Sequence, residues 1–236
     1  MTELKLYSSE SMRREDILRD DPFRDFHVSW DDITKADVKG LSNVLERARD
    51  ERPLQRHLGK NPMLLAQCVG GGHGRWVIPQ KRLGAEFVTD FIVGERSSIG
   101  FEWLAVELES PRARLFAKDG DPRKALTHAL RQVTDWRSWL QNNQNYAARA
   151  RGENGLGLTD IVANIPSLII IGRRAETSES TKARRAQMSR DLGIKIHTYD
   201  WLVDLARERV RAMAEVDRKL SSRAEHSRGK PRRKRR

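Results

Sequence analysis

Three carboxylates carry the chemistry this chain could do. Asp90 lies between Val88 and Ile92 in the apolar run FVTDFIVG, residues 87–94, where a charge needs something to face. Glu107 and Glu109 stand two apart in FEWLAVELES, residues 101–110, so in an extended strand both project from one face. If the two runs pair, Asp90 comes close to Glu107. Carboxylates crowded on a sheet face repel one another, and a hard divalent cation with oxygen preference relieves the repulsion. Mg2+ (or Mn2+) is the usual occupant; it activates water and steadies charge on a phosphate undergoing hydrolysis. The same spacing also fits a half-buried edge pair neutralised by arginines such as Arg112 or Arg131, and the residues alone leave both open.

The elements that must position these acids can be read from periodicity. Trp76–Pro79, Phe87–Gly94 and Phe101–Ser110 are predicted strands, the last two joined by the loop Glu95–Gly100. Ser167–Gly172 is a continuous apolar run, as in a strand buried on both faces, and Ile194–Tyr199 is a fifth strand. Thr34 with Asp37 opens a helix carrying Val38, Leu41, Val44, Leu45 and Ala48 at helical spacing, and Asp50 caps a second, with Pro53 in its first turn. Asp121-Pro122 is expected to start a helix whose Ala125, Ala129, Gln132, Trp136 and Leu140 share a face, followed by a polar loop over Gln141–Leu158. Thr177–Leu192 and Asp200–Met213 complete the helices. Pro22–Trp30 reads as a short strand or an apolar clip. The class is α/β, a mixed sheet of about five strands flanked by helices. Three regions are expected: a partly disordered N-terminal segment 1–40, one domain 41–213, and a disordered basic tail 214–236.

Composition narrows the function classes. The net charge is +12, and Ser221–Arg236 has eight Arg or Lys against one Glu, leaving +5 for the other 220 residues. A run of that kind attracts polyanions through counterion release, without reading sequence. Its cations Arg232, Arg233, Lys234, Arg235 and Arg236 are candidate nucleic-acid contacts, as are Arg173 and Arg174 after the fourth strand; a solvated surface is the competing account. The mean hydropathy is −0.70, and the longest apolar run is far below the roughly 18–20 residues of a membrane span. The start has no apolar signal segment. The single cysteine, Cys68, excludes an internal disulfide and a cysteine zinc site and fits a reducing cytoplasm. GGGHG, residues 70–74, lacks the ending of a phosphate-binding P-loop and reads as a flexible loop. Trp103, Trp136 and Trp139 sit beside apolar neighbours and read as core. His128, one position before the Ala129 face, reads as structural or beside a phosphate.

Several of these segments, in order, resemble a known family. TDF at 89–91, VELESP at 106–111 and HALRQVTDWRSWL at 128–140 are similar to the nuclease domain of Shedu antiphage defence proteins, of the PD-(D/E)xK restriction-endonuclease-like superfamily. ERPLQRHLGKNPMLL at 51–65, LIIIGRR at 168–174 and IHTYDWLVDLA at 196–206 extend the likeness over about residues 50–206. The resemblance implies a restriction-endonuclease-like core and a metal-dependent DNA nuclease, with Asp90 and Glu107 holding Mg2+ or Mn2+, Glu51 a further carboxylate and Gln132 an active-site glutamine. It also implies a homo-oligomer. With only about 40 residues before the domain, sensing is expected from self-assembly or a partner protein.

The departure is Glu109. The superfamily pattern places lysine there, to orient water and offset phosphate charge, and a glutamate reverses that sign. Either Glu109 is an extra ligand, or a cation enters from elsewhere (Lys81, Lys118 or Lys124), or the chain is an inactive nucleic-acid-binding or scaffold protein that keeps the fold.

Overall fold

The computed structural model describes residues 23–70 and 73–228. Among them the strands are β1 (Arg75–Pro79), β2 (Arg82–Leu83), β3 (Phe87–Val88), β4 (Phe91–Ser97), β5 (Gly100–Leu108), β6 (Ser167–Ile170) and β7 (Ile194–His197). The α-helices are α1 (Lys35–Arg47), α2 (Arg52–Lys60), α3 (Lys124–Ala148), α4 (Glu179–Leu192) and α5 (Tyr199–Arg228). One mixed five-stranded sheet runs in the order β1-β4-β5-β6-β7, with β2 and β3 forming a separate small ribbon. The α/β architecture expected from the sequence is present.

Strand β5 is the middle of the sheet and pairs antiparallel with β4 and parallel with β6. Its alternation divides the molecule in two. Leu104, Val106 and Leu108 enter a core with Leu41, Leu45, Leu54, Leu58 and Leu202, on the side of α1, α2 and α5. Trp103 and Ala105 enter the opposite core, with Ala129, Val133 and Trp136 of α3. By the same alternation Glu107 belongs to the α3 side. The tryptophans expected in the core are there: Trp103, Trp136 and Trp139 are all buried.

Several boundaries differ from expectation, each for a local reason. The run 87–94 is two strands, because Thr89 and Asp90 break away: Thr89 N–H bonds Lys81 O, and the Asp90 carbonyl accepts from Gln80. Asp90 therefore sits at the entrance to β4, not in the middle of a strand. The hairpin after β4 is tighter than a six-residue loop, since β4 and β5 stay paired to Ser97 and Gly100. Helix α3 begins at Lys124, because Pro122 is drawn into a bridge with Phe116. It continues to Ala148 across a non-helical Asn143, where a polar loop was expected. Of the segment Pro22–Trp30, the described residues 23–30 supply a 3-10 turn, Arg24–Phe26, and a bridge from His27 to Trp76. Helix α5 runs fifteen residues past Met213, so 214–228 of the expected tail are helical; residues 1–22 and 229–236 lie outside the described residues.

The expected capping box of α1 is formed, with Thr34 Oγ1 accepting from Asp37 N–H and Asp37 Oδ2 from Thr34 N–H. At α2 the cap position is Glu51, and Asp50 accepts from Arg52 N–H one residue earlier. Helix α4 ends on Gly193 in the left-handed conformation, φ 59°, and that turn leads directly into β7. Among the described residues no helix is long and apolar enough to cross a membrane.

Candidate metal centre

The acids gather where β5 ends and β4 begins. Phe91 is opposite Val106, so the register carries Asp90 toward Glu107. Asp90 is held from two sides: Oδ1 accepts from Gln55 Nε2 of α2 at 2.5 Å, and Oδ2 from the Leu108 N–H at 2.8 Å. Burial nevertheless outweighs these bonds and pushes its carboxyl up to about 6, with Glu51 and Glu109 adding repulsion.

Glu107 is 4% exposed, and its Oε2 is buried with no hydrogen-bond partner. Burial is the first cause that raises its pKa to about 10; the negative charges of Asp90, Glu109 and Glu51 follow, and among the described residues no positive charge opposes them. A buried oxygen left unpaired costs roughly 1–3 kcal/mol, more when charged, so this atom is ready for a cation. Glu109 continues the β5 ladder, its N–H bonding Ile170 O and its carbonyl accepting from Tyr199 Oη at 2.9 Å. Its Oε1 lies 2.9 Å from His128 Nδ1 of α3. Burial raises the Glu109 carboxyl, and the imidazole pulls the other way. One helical turn along α3, Gln132 also holds a buried side-chain oxygen, Oε1, without a partner.

The structure thus brings Asp90, Glu107 and Glu109 into one electrostatic cluster, with Glu51 near enough to act on all three. The tightest set differs from the one expected: among the described residues, Glu107, Glu109 and His128 each present a ligand atom within 4.8 Å of the others. A buried unpaired carboxylate oxygen beside a second carboxylate and an imidazole nitrogen is a donor set that fits a divalent cation.

Neither the arginines nor the lysines weighed against this site compensate it. Arg112 turns away to bond Ala48 O and Glu46 O at the end of α1, and Arg131 is exposed on α3. Lys81 donates to Leu156 O and lies over the Phe23 ring, its pKa lowered to about 8 by burial and then by Arg151. Lys118 and Lys124 are exposed. The basic group at Glu109 is an imidazole, which a search for a missing lysine passes over.

Arg173 and Arg174, the candidate phosphate contacts after β6, both form ion pairs with α5. Gly172, with φ 69° and an added Cβ only 2.5 Å from Ala113 O, turns the chain after β6 so that both reach α5. Arg173 bonds both oxygens of Asp200 and reaches Glu46 at 2.8 Å; Arg174 pairs with Asp204. Residues 232–236 lie outside the described residues.

Sequence reasoning missed Gln55 and His128 as partners of the acids. Gln55 stands one turn after Glu51, and His128 one turn before Gln132; those spacings were the available signals.

A family model described as Shedu protein SduA, C-terminal, matches residues 48–203. No protein among those with curated descriptions matches the chain.

Proposed function

The chain belongs to the Shedu family, and from that premise we propose that it is a metal-dependent DNA nuclease, a phosphodiester hydrolase acting in antiphage defence. The observation that carries the reading is the buried, unpaired Glu107 Oε2 among two further carboxylates, with no arginine or lysine among the described residues acting on it. Bound there, Mg2+ or Mn2+ would lower the pKa of a coordinated water and offset charge on the scissile phosphate. Glu107 and Glu109 supply the nearest oxygens. Asp90 faces them, fixed by Gln55 and the Leu108 N–H, so its carboxylate keeps its place without a cation. Glu51 adds negative potential to the cluster, and the unpaired Gln132 Oε1 would complete or orient the shell around the ion. His128 holds Glu109 through Nδ1, where a proton is shared between ring and carboxylate.

DNA is the partner this reading requires, and the basic C-terminal run supports it as a sequence-independent contact. A homo-oligomer in the cytoplasm, with sensing supplied by self-assembly or a partner protein, belongs to the same proposal. The second reading, an inactive nucleic-acid-binding or scaffold protein, is favoured by Glu109 standing where the superfamily has lysine.

The deciding experiment is nicking of supercoiled plasmid by the purified full chain with Mg2+, with Mn2+ and with EDTA. Cleavage with either cation that Glu107→Gln abolishes supports the nuclease. Retention of plasmid on a gel without cleavage under any cation supports the second reading.

A further inference from the structure

We propose that His128 is a direct ligand in a site of two carboxylates and one imidazole, and that this site takes a transition-metal ion of the Mn2+ or Co2+ type in preference to Mg2+. The inference deepens the nuclease reading, on which the role of the ion rests; the identity of the ligands stands on geometry.

Three observations converge. Glu107, Glu109 and His128 come from two elements, the end of β5 and the second turn of α3, yet their ligand atoms lie within 4.8 Å of one another. Glu107 is almost fully buried, with Oε2 unpaired. His128 Nδ1 and Glu109 Oε1 are 2.9 Å apart, close to the ~3 Å that separates two adjacent ligands each ~2.1 Å from one metal ion. A cation can therefore take the place of the proton these atoms share with little movement of either side chain.

Asp90 is the less available carboxylate. Each of its oxygens already accepts a hydrogen bond, from Gln55 and from the β5 backbone. It acts from beside the ion, as an oriented charge.

Ligand chemistry then sets the metal. Mg2+ prefers an all-oxygen shell and keeps several waters, whereas an imidazole nitrogen favours first-row transition ions. The group beside Glu109 is here an imidazole nitrogen, so the set of nearby donors contains nitrogen as well as oxygen.

The test uses the full chain stripped with EDTA and then titrated with Mg2+, Mn2+ and Co2+ alone, read by calorimetry, melting temperature and Co2+ visible absorption. The expected result is at least about tenfold tighter binding of Mn2+ and Co2+ than of Mg2+. His128→Asn should weaken Mn2+ and Co2+ by at least the ~10–100-fold that even an outer-shell loss costs, while Mg2+ binding changes little. The Co2+ absorption should change in the same variant. His128 is half exposed on a helix, so the metal-free melting temperature should match wild type; His128→Gln serves if the first variant is unstable. Equal affinities in wild type, or a preference that survives both substitutions, overturns the inference. If Mg2+ supports nicking and the preference is unchanged in the variants, this inference fails and the nuclease reading stands. If Co2+ binds through His128 and no cation supports nicking, the inference stands and the nuclease reading fails.

Discussion

Two charged clusters stand at the same end of the sheet, after the adjacent strands β5 and β6, and they are built on opposite terms. In the Arg173–Asp200 cluster every charge meets its complement. Asp200 accepts from Arg173 and from the Arg174 N–H, and its carboxyl is held below the ordinary value by those bonds despite burial. In the Glu107 cluster the carboxylates face one another, burial and mutual repulsion raise all three, and one oxygen has no partner. The first is complete as it stands and ties α5 to β6 and α1. The second leaves a buried oxygen without a partner, and that unmet demand is what the proposed cation would satisfy.

The largest effect should come from removing the acid that folding forces to hold a proton at neutral and alkaline pH. Glu107→Gln should stabilise the metal-free protein at pH 8 by up to about 4 kcal/mol, roughly 10 °C in melting temperature. It should also abolish the gain in melting temperature on adding Mn2+, because only the folded wild type gathers the ligands. A destabilised Glu107→Gln in EDTA would mean that the carboxylate is satisfied after all, and the contrast between the clusters would disappear.

The two clusters should also bend the stability profile in opposite directions. Folded Asp90 and Glu107 keep their protons up to about 6 and about 10, so from about pH 4 upward the folded state binds more protons than the unfolded chain. Stability of the metal-free protein should therefore fall as pH rises through that window. Asp200 titrates below its ordinary value when folded, so its contribution is present above about pH 4 and lost as pH falls further. Melting curves in EDTA from pH 3 to 9 should peak near pH 4–5, and saturating Mn2+ should flatten the alkaline arm. An alkaline arm that is already flat without metal would contradict the raised values.

Breaking the compensated cluster should give a smaller loss of the opposite sign. Arg173→Ala removes the partner of a largely buried Asp200 and should cost about 1–3 kcal/mol. Cation affinity should stay within about threefold of wild type, since Arg173 touches none of the carboxylates at β5. A large loss of metal binding in this variant would show that the clusters act as one.

The contrast also explains what was legible in the sequence. Asp90, Glu107 and Glu109 were visible because acids in β-rich apolar runs are conspicuous, and strand alternation puts two of them on one side. Trp136 and the strand SLII followed from apolar spacing alone. The partners were not legible. Gln55, His128 and Tyr199 reach the acids across 35, 19 and 90 residues of chain, and no local period encodes such distances. Arg173 and Arg174 look like phosphate contacts in sequence for the same reason: their acids lie on α5 and α1, out of sight of any local window. The break at Thr89–Asp90 was hidden because its hydrogen bonds go to Gln80 and Lys81 rather than along the expected strand.

The smallest effect on stability, and a distinct one on binding, is expected at the C-terminal end. On the proposed reading, sequence-independent phosphate contact would come from cations such as those of residues 229–236, which hold six Lys or Arg and no acid. A chain ending at Arg228 keeps the described helix α5 whole, so its melting temperature should stay within about 1 °C of the full chain. Its DNA affinity should fall by a similar factor on every sequence, and the slope of log affinity against log salt should shrink by at most roughly 5, about 0.9 per phosphate neutralised. Metal binding in the absence of DNA should be unaltered, because the proposed cation site lies at β5 and α3. Unchanged affinity and salt slope in the shortened chain would assign DNA contact to the folded domain. A weakened intrinsic Mn2+ affinity would instead tie the basic end to the metal centre itself.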